Sequence, residues 1–228
     1  EDKRAIIAEF KRRSPSRGMI NAHASVERTT IGYMQAGASA LSVLTDKKFF
    51  GGSNEDLRVA RKYNFCPILR KDFIIDEYQI VESKSIGADA ILLLAAVLSP
   101  EQCRELVSFA HTLGLEVLLE VHDEAELRAT QNAGADLIGV NNRNLKTFEV
   151  SLETSKQLAS LIPENATWVS ESGIATPRDI IELRTFGYRG FLIGENFMKN
   201  SLPDKAAMEF VKRLQDEARG AGRDGSVL

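Results

Sequence analysis

The sequence predicts an α/β protein that folds as a single (β/α)8 barrel, and three observations support this prediction. Eight short β-rich runs recur along the 228 residues. Helix-length stretches with apolar spacing near 3.6 separate them, for example Glu101–Leu113 and Asp204–Ala218. Most of the runs are almost continuously apolar, as are parallel strands that helices cover on both faces. Eight β–α units without a spare one favour closure into a TIM barrel, with an open doubly wound sheet as the alternative.

The eight predicted strands follow one another along the whole chain. They are Ala5–Phe10, Ala40–Thr45, Pro67–Phe73, Ala90–Ala95, Glu116–Val121, Leu137–Asn142, Trp168–Gly173 and Phe191–Gly194. No linker or change in composition divides the chain, so we expect one barrel domain over residues 1–218. A Gly-rich, flexible C-terminal tail is expected over residues 219–228. The length lies near the lower end for this fold, which typically needs about 250 residues.

Capping residues mark the helices between these strands. Helices are expected to end at a glycine in the left-handed conformation just before the next strand, at Gly37, Gly87, Gly134 and Gly187. Helix starts are indicated by Asn54-Glu55-Asp56, Ser99-Pro100-Glu101, Asp123-Glu124 and Thr176-Pro177.

Composition and charge exclude several classes of protein. With 43% hydrophobic and 27% charged residues, the chain is neither disordered nor a disulfide scaffold. Its net charge of −3 lacks the basic excess of a nucleic-acid-binding protein. The longest apolar run, residues 90–98, is too short to cross a bilayer. We therefore expect a cytoplasmic protein, monomeric or weakly homo-oligomeric, with a small-molecule partner and neither nucleic-acid nor membrane partners.

Cysteine and histidine positions give no sign of a metal site. Cys66 and Cys103 form no metal or redox motif and are expected to be reduced thiols. His23, His111 and His122 lie far apart without ligand spacing. These positions predict no metal site.

Polar residues cluster where the predicted strands end, and in a (β/α)8 barrel the chemistry lies at this C-terminal face. Because side chains alternate along a strand, one group is expected to converge at the barrel mouth: Glu9, Lys11, Lys71, Glu120, Asn141, Arg143 and Glu171. Burying an ion costs several kcal/mol, so a purely structural barrel would use Val, Ile and Leu there. The pattern is typical of a catalytic site, with structural ion pairs or a solvated rim as the alternative.

Small residues after the last two strands predict a phosphate site. Ser172-Gly173 follows strand seven and Gly194-Glu195 follows strand eight, and these loops commonly bind phosphate in this fold. The helix after Thr176-Pro177 is expected to direct its positive end towards the same place. Arg13 and Ser14, after strand one, are expected to add a cation and a hydroxyl. The pair Gly51-Gly52 is interpreted as a loop hinge, with a phosphate site as the alternative.

A set of motifs spans residues 5 to about 200 in one order. They are Ile6–Ser16, Ser42–Asp46, Phe49–Ser53, Leu69–Phe73, Glu120–His122, Gly139–Leu145, Ser170–Ile174 and Leu192–Glu195. In content and spacing they resemble the indole-3-glycerol-phosphate synthase family of tryptophan biosynthesis. Members usually carry a helical extension before strand one. Only four residues precede that strand here, so we expect this chain to lack the extension.

The resemblance implies a lyase that uses no cofactor. The family closes the pyrrole ring of 1-(2-carboxyphenylamino)-1-deoxyribulose 5-phosphate and releases CO2 and water. By position, Lys71 resembles the general acid for ring closure and Glu120 the acid–base of the dehydration. Lys11 resembles the lysine that holds the substrate carboxylate, with Glu9 as its orienting partner. The resemblance also implies substrate contacts, or support of the acid and base, from Asn141, Arg143, Glu171 and Ser172.

An apolar slot for the aromatic ring is expected from Phe50, Phe73, Leu44 and Leu145, with plain barrel core as the alternative for each. The family's phosphate lysine corresponds to Arg13 here, which keeps the charge and changes the geometry.

Two other functions remain open at this stage. One is another sugar-phosphate barrel, such as phosphoribosylanthranilate isomerase. Resemblance to that family would imply a Cys and an Asp as the acid–base pair. At the corresponding strand ends this chain has Glu9/Lys11 and Asn141/Arg143 instead. The other is a barrel that binds phosphate or serves in an assembly without catalysis, which would not require Lys11, Lys71 and Glu120 together.

Overall fold

A computed structural model of the protein, which describes residues 5–163 and 166–223, shows eight parallel strands closed into one barrel. The barrel strands are β1 Ile6–Phe10, β2 Ala40–Leu44, β3 Ile68–Lys71, β4 Ala90–Leu94, β5 Glu116–Val121, β6 Leu137–Asn141, β7 Thr167–Glu171 and β8 Gly190–Ile193. Strand β8 closes the barrel onto β1, with Ile6 opposite Phe191 and Ala8 opposite Ile193. The predicted barrel is confirmed, and the open sheet is excluded.

Helices cover the outside of the barrel. They are α1 Val26–Gln35, α2 Asn54–Tyr63, α3 Glu77–Ser85, α4 Pro100–Thr112, α5 Glu124–Thr130, α6 Glu153–Leu158, α7 Pro177–Thr185, α8 Glu195–Met198 and α9 Pro203–Arg223. Ser99 and Thr176 form capping boxes at the starts of α4 and α7, as their sequences indicate. The four glycines expected to end helices all have positive φ, between 86° and 97°.

The C-terminal boundary differs from the sequence-based expectation. Helix α9 continues to Arg223, beyond the expected end near Ala218, so residues 219–223 are helical rather than tail. Two glycines in this stretch cost only about 1 kcal/mol each in a helix, which a long preceding helix tolerates. Residues 224–228, the rest of the expected tail, lie outside the described residues. No described helix combines the length and apolar character that a membrane span needs.

Two apolar layers hold the barrel together. Between strands and helices lies the larger core, which contains Phe10, Tyr33 and Phe191. Inside the barrel a smaller cluster centred on Leu69, Leu118 and Val169 fills the interior. Burying a side chain of this size stabilises the fold by about 1.5–3 kcal/mol.

The interior changes character abruptly towards the carboxyl ends of the strands. In four strands the residue two positions after an inward apolar residue is charged. The pairs are Ile7/Glu9, Leu69/Lys71, Leu118/Glu120 and Val169/Glu171. All four charged residues are buried, so the alternation of strand side chains places a charged layer directly above an apolar one.

A short hairpin that the sequence did not predict follows β1. Its strands, Arg13–Ser14 and Gly18–Met19, pair antiparallel, and Gly18 has a φ of 66°. This β1 hairpin (residues 13–19) contributes Ser14 and Arg17 to the barrel mouth.

Candidate active site

A cavity of about 710 Å³ opens at the carboxyl ends of the strands. Nearly all of the predicted site residues line it. They are Glu9, Lys11, Ser14, Leu44, Phe50, Lys71, Phe73, Glu120, Asn141, Arg143, Leu145, Glu171, Ser172, Gly173, Gly194 and Glu195. Residues far apart in sequence are therefore brought together at one mouth, and their individual roles stay predictions.

Arg13 is the one predicted site residue that the structure does not place in this lining, and its expected role at the phosphate stays a prediction. Its side-chain carbons lie against Gly51, where an added Cβ would meet Arg13 Cδ at 2.9 Å. Neighbouring residues of a strand point to opposite sides, so Ser14 faces the cavity and Arg13 does not. The cation that the hairpin does contribute is Arg17.

The pair Gly51-Gly52 is more than a hinge. Gly51 has a positive φ of 63°, and a Cβ at position 52 would collide with the backbone carbonyl of Leu44. The two glycines let the loop after β2 approach the end of that strand closely.

Lys71 is the centre of the buried charged layer. Its Nζ atom lies 2.6 Å from Oε2 of Glu120 and 2.7 Å from Oε2 of Glu171, and it donates a hydrogen bond to each. The three side chains come from strands β3, β5 and β7. One ammonium group thus bridges two carboxylates at the base of the cavity.

The pKa values of Lys71, Glu120 and Glu171 all differ from their ordinary values, and those of the two glutamates shift in opposite directions. Burial of Lys71 alone would lower its pKa, but the carboxylates of Glu120, Glu171 and Glu9 outweigh burial and raise it. Burial would raise the pKa of Glu120, yet Lys71 and His122 hold it below its usual range. Burial raises the pKa of Glu171 to about 7, because Lys71 compensates only in part. Two carboxylates with different protonation preferences around one lysine are typical of acid–base sites.

Glu171 fits its position because Gly139, on the neighbouring strand β6, has no side chain. A Cβ at Gly139 would collide with Oε1 of Glu171 and lie 3.2 Å from Leu118. Oε1 itself is buried and has no hydrogen-bond partner among the described residues. Gly194 makes room in the same way for Oε1 of Glu9.

Glu9 and Lys11 form a second pair at the end of β1. Lys11 Nζ lies 2.8 Å from Glu9 Oε1, and the Ser42 hydroxyl donates to Glu9 Oε2 at 3.3 Å. Glu9 is more deeply buried than Lys11, so the carboxylate orients an ammonium group that lines the cavity.

Arginines form the outer rim of the cavity. Glu195 accepts from Arg17 Nε at 2.9 Å and from Arg143 at 3.2 Å, which links the β1 hairpin to the loops after β6 and β8. Asn141 connects the rim of the cavity to its base through two hydrogen bonds. Its amide donates to Glu120 Oε1 at 2.9 Å, and its oxygen accepts from the Arg143 backbone N–H at 3.0 Å.

The loop after β7 is held in an unusual conformation. Ser172 and Gly173 have φ values of 65° and 80°, and Asn142 donates to the carbonyl of Ser172 at 3.1 Å. The left-handed conformation at a serine costs roughly 1–2 kcal/mol, so the surrounding contacts impose it.

Two backbone N–H groups just before α7 are hydrogen-bonded within the protein, and the expected contribution of the helix N-terminus to phosphate binding stays a prediction. The N–H groups of Ala175 and Thr176 donate to Asp179 at 2.8 and 2.7 Å. Asn196, at the start of α8, donates to the Ala175 carbonyl at 2.9 Å and ties the two loops together.

Several residues of the cavity wall were missed by sequence reasoning. They are Leu92, Leu94, Val97, Phe148, Val150, Ile174, Leu192, Arg17 and Lys199. Strand alternation could have found Leu92, Leu94 and Leu192, whereas the others lie in loops or short helices that carry no periodic signal. Together with Phe50 and Phe73, whose ring centroids are 6.2 Å apart, the apolar members form a wall for an aromatic ligand.

Metal ligands do not cluster within the described part of the chain, where no group of three His, Cys, Asp or Glu side chains could hold an ion. Cys66 and Cys103 are free thiols.

Fold and cavity together define a TIM-barrel enzyme with a buried lysine–carboxylate cluster at the carboxyl ends of its strands. The family model of indole-3-glycerol phosphate synthase matches residues 1–210, and the chain belongs to this family. The synthase of Bacteroides thetaiotaomicron is 56% identical over 210 residues, which cover 92% of this chain and 80% of that protein. The synthase of Caldanaerobacter subterraneus is 46% identical over 211 residues, which cover 92% and 81%. The function of the chain is therefore indole-3-glycerol phosphate synthesis, a step of tryptophan biosynthesis.

A more distant likeness shows the fold alone. The crystal structure of 3-hexulose-6-phosphate synthase from Salmonella typhimurium superimposes with a TM-score of 0.70 at 13% identity. The match covers 93% of this chain and 99% of that one, so the barrel architecture is common to both.

Proposed function

We propose that the protein is a carbon–carbon lyase of the carboxy-lyase type. It converts 1-(2-carboxyphenylamino)-1-deoxyribulose 5-phosphate to indole-3-glycerol phosphate, CO2 and water. The observation that carries the proposal is the Lys71 ammonium group between Glu120 and Glu171, at 2.6 and 2.7 Å, below an apolar wall.

The charges of the substrate are complementary to different parts of the cavity. Its carboxylate pairs with Lys11, which Glu9 orients. Its phosphate lies against the small residues of the loops after β7 and β8, near Ser14 and Arg17. The aromatic ring packs between Phe50 and Phe73, with Leu44 and Leu145 beside them.

Ring closure begins with a proton from Lys71. The aromatic carbon that bears the carboxylate attacks the ketose carbonyl carbon, a C–C bond forms, and the carbonyl oxygen takes the proton as a hydroxyl. Loss of CO2 returns its bonding electron pair to the ring and restores aromaticity. Glu171, with a pKa raised to about 7, can then return a proton to Lys71.

Dehydration completes the indole. Glu120, held ionised by Lys71, removes a proton from the methylene carbon beside the nitrogen. The electron pair forms the new double bond, and the hydroxyl leaves as water with a proton from Lys11. Asn141 and Arg143 position Glu120 and the sugar hydroxyls, together with Ser172.

The test is turnover of this substrate by the purified chain, followed by indole fluorescence and by CO2 release. We expect equal amounts of both products. Glu120→Gln should reduce kcat by about 10²–10⁴-fold, because it removes a general base. Glu124→Gln, an exposed glutamate on α5 paired with Arg128, is the matched control and should leave kcat unchanged. Absence of turnover, or full activity of Glu120→Gln, would contradict the proposal.

We also propose that the protein is a cytoplasmic monomer or weak homo-oligomer without a cofactor, nucleic-acid or membrane partner. Two unpaired thiols and a phosphorylated substrate support the compartment. Light scattering at two protein concentrations tests the oligomeric state, and a stable higher oligomer would contradict it.

A further inference from the structure

His122 lies directly behind the acid–base cluster, just after the end of β5, and does not line the cavity. Its side chain is 10% exposed and sits between two carboxylates. The Nε2 atom is 3.2 Å from Glu120 Oε1, and the Nδ1 atom is 3.1 Å from Glu126 Oε2. The ring therefore connects the candidate base to a glutamate on the helix outside the barrel.

Glu126 fixes the orientation of this ring. Its Oε2 atom accepts both from the ring Nδ1 and from the His122 backbone N–H, the latter at 2.8 Å. The Glu126 backbone N–H in turn donates to Asp123 at 2.9 Å, as part of the N-terminal cap of α5. The Glu126 carboxylate is held by two hydrogen bonds from His122, and the Glu126 backbone is held by the cap of α5. The His122 ring therefore has little freedom to rotate.

Three cationic or hydrogen-bond-donating side chains contact the carboxylate of Glu120. Lys71 contacts Oε2, while Asn141 and His122 both contact Oε1. The His122 contact is ionic, because Nε2 lies at 3.2 Å without the alignment of a hydrogen bond. An ionic contact depends on distance rather than angle, so it persists during small movements of the carboxylate.

We propose that His122, held by Glu126, is a positioning residue that keeps Glu120 fixed and ionised when Lys71 releases its proton. The proposal rests on the role of Glu120 as base. During ring closure Lys71 becomes neutral, and Glu120 loses the cation at Oε2. Until Glu171 returns a proton to Lys71, a buried carboxylate without a cation would take up that proton itself and would not be available as the base of the dehydration. The imidazolium at Oε1 is the cation that remains.

The ring has the charge that this role requires. Burial would lower the pKa of His122, but the contacts with Glu120 and Glu126 raise it to about 9, so the ring is cationic at neutral pH. The groups facing the ring are Glu120 on β5 and Glu126 on α5, and Lys71 and Asn141 reach it only through Glu120.

Steady-state kinetics across pH 6–10 test the proposal with His122→Asn and Glu126→Gln. His122→Asn should lower kcat about 10–100-fold with KM changed less than about threefold, because the base is affected rather than substrate binding. In the parent protein kcat should fall as pH rises through about 9, where the ring loses its proton. Glu126→Gln should move this fall to lower pH, and His122→Asn should abolish it. The control His111→Asn alters an exposed histidine paired with Asp136 and should match the parent.

NMR titration of the ring keeps the test independent of activity. The His122 signal should titrate near pH 9 in the parent, and at lower pH in Glu120→Gln and Glu126→Gln. A purely structural histidine would lower thermal stability without changing the pH profile. Parent-like kcat and pH dependence in His122→Asn, or a ring that titrates near 6.5, would overturn the proposal. If the parent shows no turnover, the proposed function fails, and the titrations still decide whether His122 is a cation beside Glu120.

Discussion

Glu171 should make the protein less stable as the pH rises, and replacing it by glutamine should remove this effect. Its pKa is about 7 in the folded protein, against an ordinary value of 4.5. Between these values the folded state binds more protons than the unfolded state, so stability decreases with increasing pH. At about 1.4 kcal/mol per pH unit, the difference corresponds to about 3 kcal/mol lost between pH 4.5 and pH 8.

Urea unfolding at several pH values between 5 and 8 measures this loss. In Glu171→Gln we expect the decrease in unfolding free energy across this range to be smaller by about 2–3 kcal/mol than in the parent. His122 contributes its own decrease above pH 6.5 in both proteins, so the difference between them isolates Glu171. Glu124→Gln, an exposed control, should retain the parent slope. Identical pH dependence in the parent and Glu171→Gln would refute the reasoning.

Three further perturbations follow from the geometry. Gly139→Ala should lower the free energy of unfolding in urea by about 1–3 kcal/mol and should lower kcat, because the added Cβ displaces Glu171. A free energy of unfolding and a kcat equal to those of the parent would contradict this. Arg17→Ala should raise KM about 5–10-fold at low salt and less at high salt, because salt screens a contact between this arginine and the substrate phosphate. Arg104→Ala, on the surface, is the control, and an effect on KM that does not depend on salt would argue against a phosphate contact. Arg70→Met should lower the free energy of unfolding in urea by about 3–5 kcal/mol, because Asp72 and Glu82 lose the buried guanidinium that pairs with them. An unchanged unfolding midpoint would contradict this.

The barrel and the inner part of the site could be predicted because they depend on period-two alternation. Once strand ends are located, Glu9, Lys71, Glu120 and Glu171 must share the interior with the apolar residues two positions earlier. The same rule directs Phe10 to the outside of the barrel, where it lies in the larger core. Helix ends followed from local capping chemistry, which acts within a few residues.

The rim could not be predicted in the same way, because loops have no repeating pattern. The β1 hairpin places Arg17, which the sequence did not single out, in the cavity lining and leaves Arg13 outside it, and two-residue strands leave no periodic signal. The space that Gly139 and Gly194 provide for carboxylates depends on contacts between distant strands. His122 was recognisable only as a neighbour of Glu120, since its link to Glu126 requires the turn into α5.

The central claim is that the Lys71 ammonium group supplies the proton for ring closure. Its most direct test is kcat/KM of Lys71→Ala for the carboxyphenylamino substrate, with Lys84→Ala on the surface of α3 as control. We expect a decrease of at least about 10³-fold, with substrate binding changed by less than about tenfold and the far-UV circular dichroism spectrum unchanged. Turnover of Lys71→Ala at the parent rate would contradict the mechanism.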